Sequence, residues 1–409
     1  MVGHGERERL LADGAGLCSP GLWPPERRFE PEGVELLLHN AFAQELQRLG
    51  RDREGGLEKL VAQLAAGEIT EDPFSADATK RLRDYAWKIS EHSRVVADPG
   101  GTVQEQPIFV LMLGSVLKAL GDPDWAVMGT YAVGVPVGLG VEMPRTPEVF
   151  PPKLKWSIAE QEEWGGDSNR ARQFVRERRK DYASANTFAR EVEKALREQA
   201  GEGQVLILTE EEARARYGAR LTVAALGAIE KGTDEDGFTE VRIIHDGTNG
   251  VEVNRYIRVR DGSLFPLASD IKRVLRKQSE RGTTHFGLAV DVKGAHRLVA
   301  IRPEDWPLIA CQLEEGGAIF LNTRGTFGVA SASYWWGRLA AAIQRAGLQI
   351  VSRWWALWAM LFADDFDLTG EGPTYRQALL CFVWWLVVVG VPLAWKNTNG
   401  GIPTVGSTT

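Results

Sequence analysis

The sequence predicts an α+β fold, and three observations predict it. Apolar residues recur at helical spacing through roughly the first 120 positions. From about residue 205 the pattern changes to strand alternation. A strand–helix–strand run with acids at both strand ends occupies the last third of the chain. The expected order is therefore a helical region first, then a small antiparallel sheet packed on helices.

The helical region begins with "GVELLLHNAFAQELQRLG", whose leucines and alanines repeat at helical spacing up to Gly50, and continues with "PIFVLMLGSVLKALG", from Pro107 to Gly121. "VEMPRTPEVFPPKLKW", residues 141–156, carries four prolines and reads as a boundary or strapping linker. A long charged helix is expected over 168–200, its mixed-sign face solvated. "RLTVAALGAIEKG" and "FTEVRIIHD" flank the polar turn "TDEDG" and predict a hairpin. "VNRYIRVRDG" reads as a short strand or turn. "SDIKRVLRKQSERG" predicts a helix with Ser269 as its N-cap and Lys272, Arg273, Arg276, Lys277 and Arg281 as the densest cationic patch of the chain. These patterns divide the chain into 1–142, 143–204, 205–284 and 285–409.

Composition bounds the function. The 409 residues suffice for two or three domains, and 44% hydrophobic with 25% charged residues describes a globular chain. At a net charge of −7, a polyanionic partner has to be held by local basic patches rather than by the overall field. Cys18, Cys311 and Cys381 are too far apart for a disulfide framework or a zinc spacing. With a polar, charged N-terminus lacking a signal-peptide core, the expectation is an intracellular protein of cytoplasm or nucleus, not a secreted one. "ALLCFVWWLVVVGVPLAW", residues 378–395, runs without a charge, which opens a membrane-anchored alternative. Gly390-Val391-Pro392 interrupts it, and residues 378–389 would rise only about 18 Å against about 30 Å of hydrocarbon. A buried helix followed by a strand is expected, with no membrane partner.

The chemistry gathers at acids. In "HFGLAVDV", Phe286, Leu288, Val290 and Val292 form one face, while Gly287, Ala289 and Asp291 form the other. In "LWAMLFADDFDLTG" an apolar run enters the pair Asp364-Asp365. Between them "RGTFGVASASYWWGRLAAAIQRAG" is a glycine-flanked loop leading to a helix expected to stop near Gly347. That unit can bring both acidic ends to one sheet edge. Two carboxylates about 4 Å apart repel by about 4 kcal/mol at an effective dielectric near 20, a cost that a divalent cation relieves.

Five ordered blocks over roughly residues 220–400 carry a resemblance: "VRIIHDGTNGVEVNRYI", "AVDVKGAHRLVAI", "GTFGVASASYWWGRL", "AMLFADDFDL" and "GVPLAWKNTNGG". Together they resemble the reverse transcriptases of retroelements, nearest to those of long-terminal-repeat and tyrosine-recombinase retrotransposons. The resemblance implies a fingers-like region over 205–284 and a palm-like region over 285–409, ending before a thumb. It implies an RNA-directed DNA polymerase that transfers nucleotides by a two-metal mechanism, with an RNA or DNA template, a primer and deoxynucleoside triphosphates as partners. Asp291 and Asp364 would coordinate two Mg2+ ions (Mn2+ being the alternative), with Asp365 supporting and the Val292 carbonyl a further ligand. Lys231 and Arg242 would clamp the triphosphate. Ala295 and His296 would lie beneath the sugar, His296 where the family commonly has tyrosine or phenylalanine. Phe327 and Gly328 would lie against base and template, and Lys396 would give a proton to pyrophosphate. Ser333 replaces the usual proline of its block, and Asn397 a second cation. Trp335, Trp336, Trp354, Trp355, Trp384 and Trp385 are expected in the core. The competing expectation is a polymerase-like module, or fragment of a degraded element, that binds nucleic acid without catalysing.

Overall fold

The computed structural model describes residues 33–98, 106–153, 180–233, 237–282 and 285–401, a mixed helix-and-sheet chain of the α+β class. Five helices lead: α1 Val34–Asp52, α2 Gly56–Ala65, α3 Ala76–Ile89, α4 Val110–Ala119 and α5 Met128–Val133. After α6 Ala183–Thr187 and α7 Ala189–Gly201 come β1 Val205–Leu208, α8 Glu210–Tyr217, β2 Val223–Ala224, β3 Leu226–Thr233 and β4 Thr239–His245. Then follow α9 Val253–Tyr256, α10 Ala268–Arg281, β5 His285–Asp291, β6 Ala310–Cys311 and β7 Ile319–Asn322. The last elements are α11 Ala330–Val351, β8 Leu357–Phe362, β9 Asp365–Glu371, α12 Tyr375–Val388 and β10 Asn399–Gly401.

Three sheets result. The strands β10, β5, β9 and β8 form an antiparallel sheet in that order, β1, β7, β6 and β2 form a second, and β3 pairs with β4 alone. The β3–β4 hairpin forms where alternation and its flanking turn residues predict it, with a register shift between Glu230 and Gly232. On β5, Leu288 and Val290 are buried and the small residues between them are not, as the alternation requires.

One continuous cluster of buried apolar side chains runs from Val34 through α11 to Trp395. Helix α12 lies inside it, from Ala378 to Val388 almost wholly buried. The first helices cover α12. Phe74 stacks on Trp384 with centroids 4.6 Å apart, and Thr79 Oγ1 accepts a hydrogen bond from Trp384 Nε1 at 2.9 Å. Each fully buried large apolar side chain of this kind contributes about 1.5–3 kcal/mol. Among the described residues no helix is long and apolar enough to cross a membrane. Trp335, Trp336, Trp384 and Trp385 are buried; Trp354 and Trp355 are half-buried, both packed on His39.

A buried ionic cluster ties α11 to the preceding half of the chain. Arg338, fully enclosed, donates from Nε to both Asp124 oxygens (3.1 and 3.2 Å) and from Nη1 to Asp261 Oδ2 (3.0 Å). One turn and more along α11, Arg345 takes Asp122 at 2.5 and 3.0 Å. Thr146 donates from its hydroxyl to Asp124 and from its amide to Asp261, so the carboxylates are saturated with partners.

Several local expectations are corrected. Helix α11 passes through Gly347 and ends at Val351, because Gly347 is a packing notch: a Cβ there would sit 2.7 Å from Trp385 and 2.8 Å from Phe382. Ser269 lies inside α10, whose first turn is closed instead by Asp270 accepting from the Leu267 amide at 2.7 Å. The charged stretch toward residue 200 forms two helices, α6 and α7, with residues 168–179 outside the described set. Of the strand or turn expected from Val253, the structure has the turn, a single helical one over Val253–Tyr256. Cys311 and Cys381 are buried and in no disulfide; Cys18 lies outside the described residues.

Candidate active site

The acids meet through strand register. Strand β5 pairs with β9 so that Asp291 stands directly opposite Asp365. Cross-strand partners project to the same face of a sheet, Cβ atoms about 4.5–5.5 Å apart. Strands β8 and β9 are joined by the two residues Ala363 and Asp364, and Ala363 takes the left-handed conformation (φ 57°) that such a tight connection demands. The turn is clamped from both sides. Trp336 Nε1 donates to the Ala363 carbonyl at 2.9 Å, and the Val292 amide donates to the Asp364 carbonyl at 3.1 Å. Asp364 is thus fixed next to the end of β5, beside Asp291 and Val292.

The third side of this edge is the segment after α12. The Ala394 amide donates to the Asp291 carbonyl at 2.9 Å, the Lys293 amide to the Pro392 carbonyl at 2.9 Å, and Val292 bridges Leu393. A 3-10 turn, Trp395–Asn397, follows. Its Asn397 Nδ2 donates to Asp291 Oδ2 at 3.0 Å, while Lys396 is exposed on the same turn. Asn397 is the contact that sequence reading passed over. The signal was present: an amide where the resembling family often has a cation.

Electrostatics follow the geometry. The Asp365 carboxyl is pushed up to about 6, first by partial burial, then by the carboxylates of Asp364, Asp291 and Asp367. Asp365 counts as exposed by its whole-residue surface, so the desolvation is local to the carboxyl and the repulsion from its neighbours is screened. Burial also raises Asp367, one strand position pair further in. Among the described residues no three His, Cys, Asp or Glu side chains form a ready-made metal cage. The donor set is nevertheless one that suits magnesium, which binds through one or two carboxylates and completes its octahedron with water and substrate phosphate oxygens.

Within electrostatic reach of Asp364 lies an aromatic and cationic wall. The Arg242 guanidinium from β4 sits 4.9 Å from the centre of the Phe327 ring, and Phe327 meets the His296 ring edge-on at 4.6 Å. Burial lowers the His296 pKa, the Asp364 carboxylate works against that, and Arg297 and Arg242 lower it further. His296 is therefore a neutral ring near pH 7, offering bulk rather than charge. Ala295, buried, opens the turn that carries it, after Gly294 in the left-handed region. Lys231 is exposed at the β3 bulge, further toward the hairpin tip than Ile229, the partner of Arg242. The geometry thus gathers Asp291, Val292, Asp364, Asp365, Ala295, His296, Phe327, Gly328 and Arg242, and leaves Lys231 and Lys396 at its margins.

The loop carrying Phe327 is built by close backbone approach. Gly328 has φ +97°, and a Cβ there would fall 1.9 Å from the His245 carbonyl oxygen, so no other residue fits. The His245 amide donates to the Phe327 carbonyl at 2.9 Å. Asn254 bridges the loop, giving Nδ2 to the Gly328 carbonyl (2.6 Å) and accepting from the Ala330 amide at Oδ1 (2.7 Å). The V-N of the first block therefore acts by locking the loop of the third block, a role no spacing argument reveals.

No protein-family model and no curated protein matches this chain. Among solved structures it is similar to a foamy viral protease-reverse transcriptase in complex with double-stranded DNA, at 12% identity and a TM-score of 0.41, over 55% of this chain and 34% of that one. It is similar to the native prototype foamy virus protease-reverse transcriptase at 14% identity and 0.37, over 56% and 26%. A foamy viral protease-reverse transcriptase with an RNA/DNA hybrid gives 13% and 0.38, over 55% and 26%. The chain thus spans about a quarter to a third of the length of these structures. Identities and TM-scores this low leave the weight on the site's own geometry.

Proposed function

We propose that this chain is an RNA-directed DNA polymerase that extends a primer on an RNA or DNA template from deoxynucleoside triphosphates. The observation that carries the reading is the convergence of Asp291, Asp364 and Asp365, from distant parts of the sequence, on one sheet end, with His296 of the Arg242–Phe327–His296 wall in electrostatic reach of Asp364. In this reading Asp291 and Asp364 hold divalent cations, magnesium foremost, with Asp365 and the Val292 carbonyl in support. When bound, such ions neutralise phosphate charge and make the primer 3′-hydroxyl more acidic.

The chain's own groups position and neutralise. Arg242 offers a planar fork to triphosphate oxygens, and Lys231 a point charge from an exposed position on β3. Ala295 lets the sugar lie close to the backbone, and the neutral His296 ring blocks the space of a 2′-hydroxyl. Phe327 and Gly328 form the floor for the base pair. As the 3′-hydroxyl loses its proton to solvent and its oxygen bonds to the α-phosphorus, the bond to the bridging oxygen breaks and pyrophosphate leaves, in this reading taking a proton from Lys396. Positioning and charge neutralisation supply the catalysis.

One observation favours a second reading. Asn397 already occupies an Asp291 oxygen that a cation would need, which suits a polymerase-like module that binds nucleic acid without extending it. Primer extension on an RNA template with magnesium decides. Extension by the wild type with loss of about 10³-fold or more in Asp364→Asn is expected. Equal extension by both proteins would refute the assignment of Asp364, and template binding without any extension would favour the second reading.

A further inference from the structure

Helix α10 has two faces, and among the described residues one is packed and the other exposed. With successive residues turned by about 100°, Lys272, Arg273, Arg276 and Lys277 share one side, and Ile271, Val274 and Leu275 the other. Val274 is buried and Leu275 half-buried, whereas Lys272, Arg273 and Arg276 are exposed and Lys277 half-exposed. Among the described residues, none of the four cations has a carboxylate within ion-pair distance. This is a concentrated positive surface on a chain whose net charge is −7.

The surface adjoins the acid hairpin. Phe265, just before α10, packs on Phe362 with ring centroids 5.4 Å apart, and Phe362 directly precedes the Ala363-Asp364 turn. Both rings remain open to solvent, at 39% and 51% exposure, and Leu267 (53%) and Ile271 (40%) extend the apolar strip along the helix. Two flat apolar rings lie between four unmatched cations and the carboxylates. That order suits a ligand with an anionic backbone and planar apolar groups.

We infer that α10 and the Phe265–Phe362 pair form a docking surface for the sugar–phosphate backbone of the duplex that meets the acid hairpin. The four cations span about 7.5 Å of helix axis, the axial rise of about four phosphates when both strands of a duplex are counted. That the bound polyanion is a template–primer duplex rests on the polymerase reading; that the surface takes a nucleic-acid backbone rests on charge and exposure alone.

The test uses the full chain and a fluorescein-labelled RNA–DNA hybrid of about 20 base pairs, titrated by anisotropy without nucleotides between about 50 and 200 mM salt. Changing Lys272, Arg273, Arg276 and Lys277 together to glutamine is expected to weaken binding tenfold or more at the upper salt, and to reduce the slope of log affinity against log salt by about 3. Lys80→Gln, at an exposed position on α3, leaves both values unchanged. Should the fourfold variant melt early, Lys272→Gln/Arg276→Gln, at two exposed positions, is expected to reduce the slope by about 2. Unchanged affinity and slope overturn the inference. So does self-association abolished by Ile271→Glu with hybrid binding intact, since a second copy then owns the surface. Weakened hybrid binding in a chain that never extends a primer would uphold this surface while removing the polymerase reading, and normal extension with unaltered binding would do the reverse.

Discussion

Two aspartate triads in this molecule face opposite electrostatic circumstances. Asp122, Asp124 and Asp261 are buried, and each is met by Arg338 or Arg345 at hydrogen-bond distance. Asp291, Asp364 and Asp365 lie at an open sheet end, where the contact to Asp291 comes from the neutral Asn397. The first triad is internally compensated, so its geometry is complete without anything further. The second leaves repulsion standing, which adds to partial burial in raising the Asp365 carboxyl. A cluster that folding leaves uncompensated is available to a cationic ligand, whereas a matched one is scaffold. Acid count alone does not separate the two.

The comparison can be broken most severely at Arg338. Arg338→Met removes the shared partner of Asp124 and Asp261 and leaves these buried carboxylates only the longer contacts to Arg345 (3.6 Å) and Arg145 (3.4 Å) as charge partners, so a loss of about 3–5 kcal/mol in unfolding free energy is expected from denaturant melts. A change below about 1 kcal/mol would mean that the buried triad is not scaffold.

The open triad should respond with the opposite sign. Because the folded Asp365 carboxyl titrates at about 6, above its ordinary 3.8, the folded state favours the protonated form. Its contribution is present at low pH and lost as pH rises through about 6. Asp365→Asn is therefore expected to stabilise the protein near pH 7, by about 1 kcal/mol or less after allowance for solvent screening, and to change nothing near pH 3. Thermal melts at the two pH values check this, and a destabilised variant at neutral pH would contradict it.

The smallest effect is expected at Asn397. Asn397→Ala removes one hydrogen bond of about 0.5–1.5 kcal/mol at an exposed site, so stability should barely change. If Asn397 competes with a cation for Asp291, the variant should need less magnesium for half-maximal thermal stabilisation. An unchanged requirement would make Asn397 a bystander.

The sequence made one triad legible and hid the other. Asp291 and Asp364-Asp365 stood out because each ends a short run of strand-like residues, and period-2 alternation carries face and register together. The α+β order and the β3–β4 hairpin were readable for the same local reason. Asp124 and Asp261 gave no such signal: their partner Arg338 lies 214 and 77 positions away, and nothing local connects them. Gly347 misled because glycine punctuates helices more often than it makes room for a tryptophan. Asn254 was quoted but not read, and Asn397 was read only as a replaced cation, since a side-chain amide declares its partner only in three dimensions.

Helix α12 carries fourteen residues without a carboxylate, and its neighbours Phe74, Thr79 and the first helices enclose it. The opening third of the chain is therefore a sheath for a segment that would otherwise be greasy cargo. Cut away residues 1–153 and the remaining polypeptide should sediment on centrifugation unless detergent takes over the sheath's task; a fragment that stayed in the supernatant as a monomer would show that the covering is dispensable.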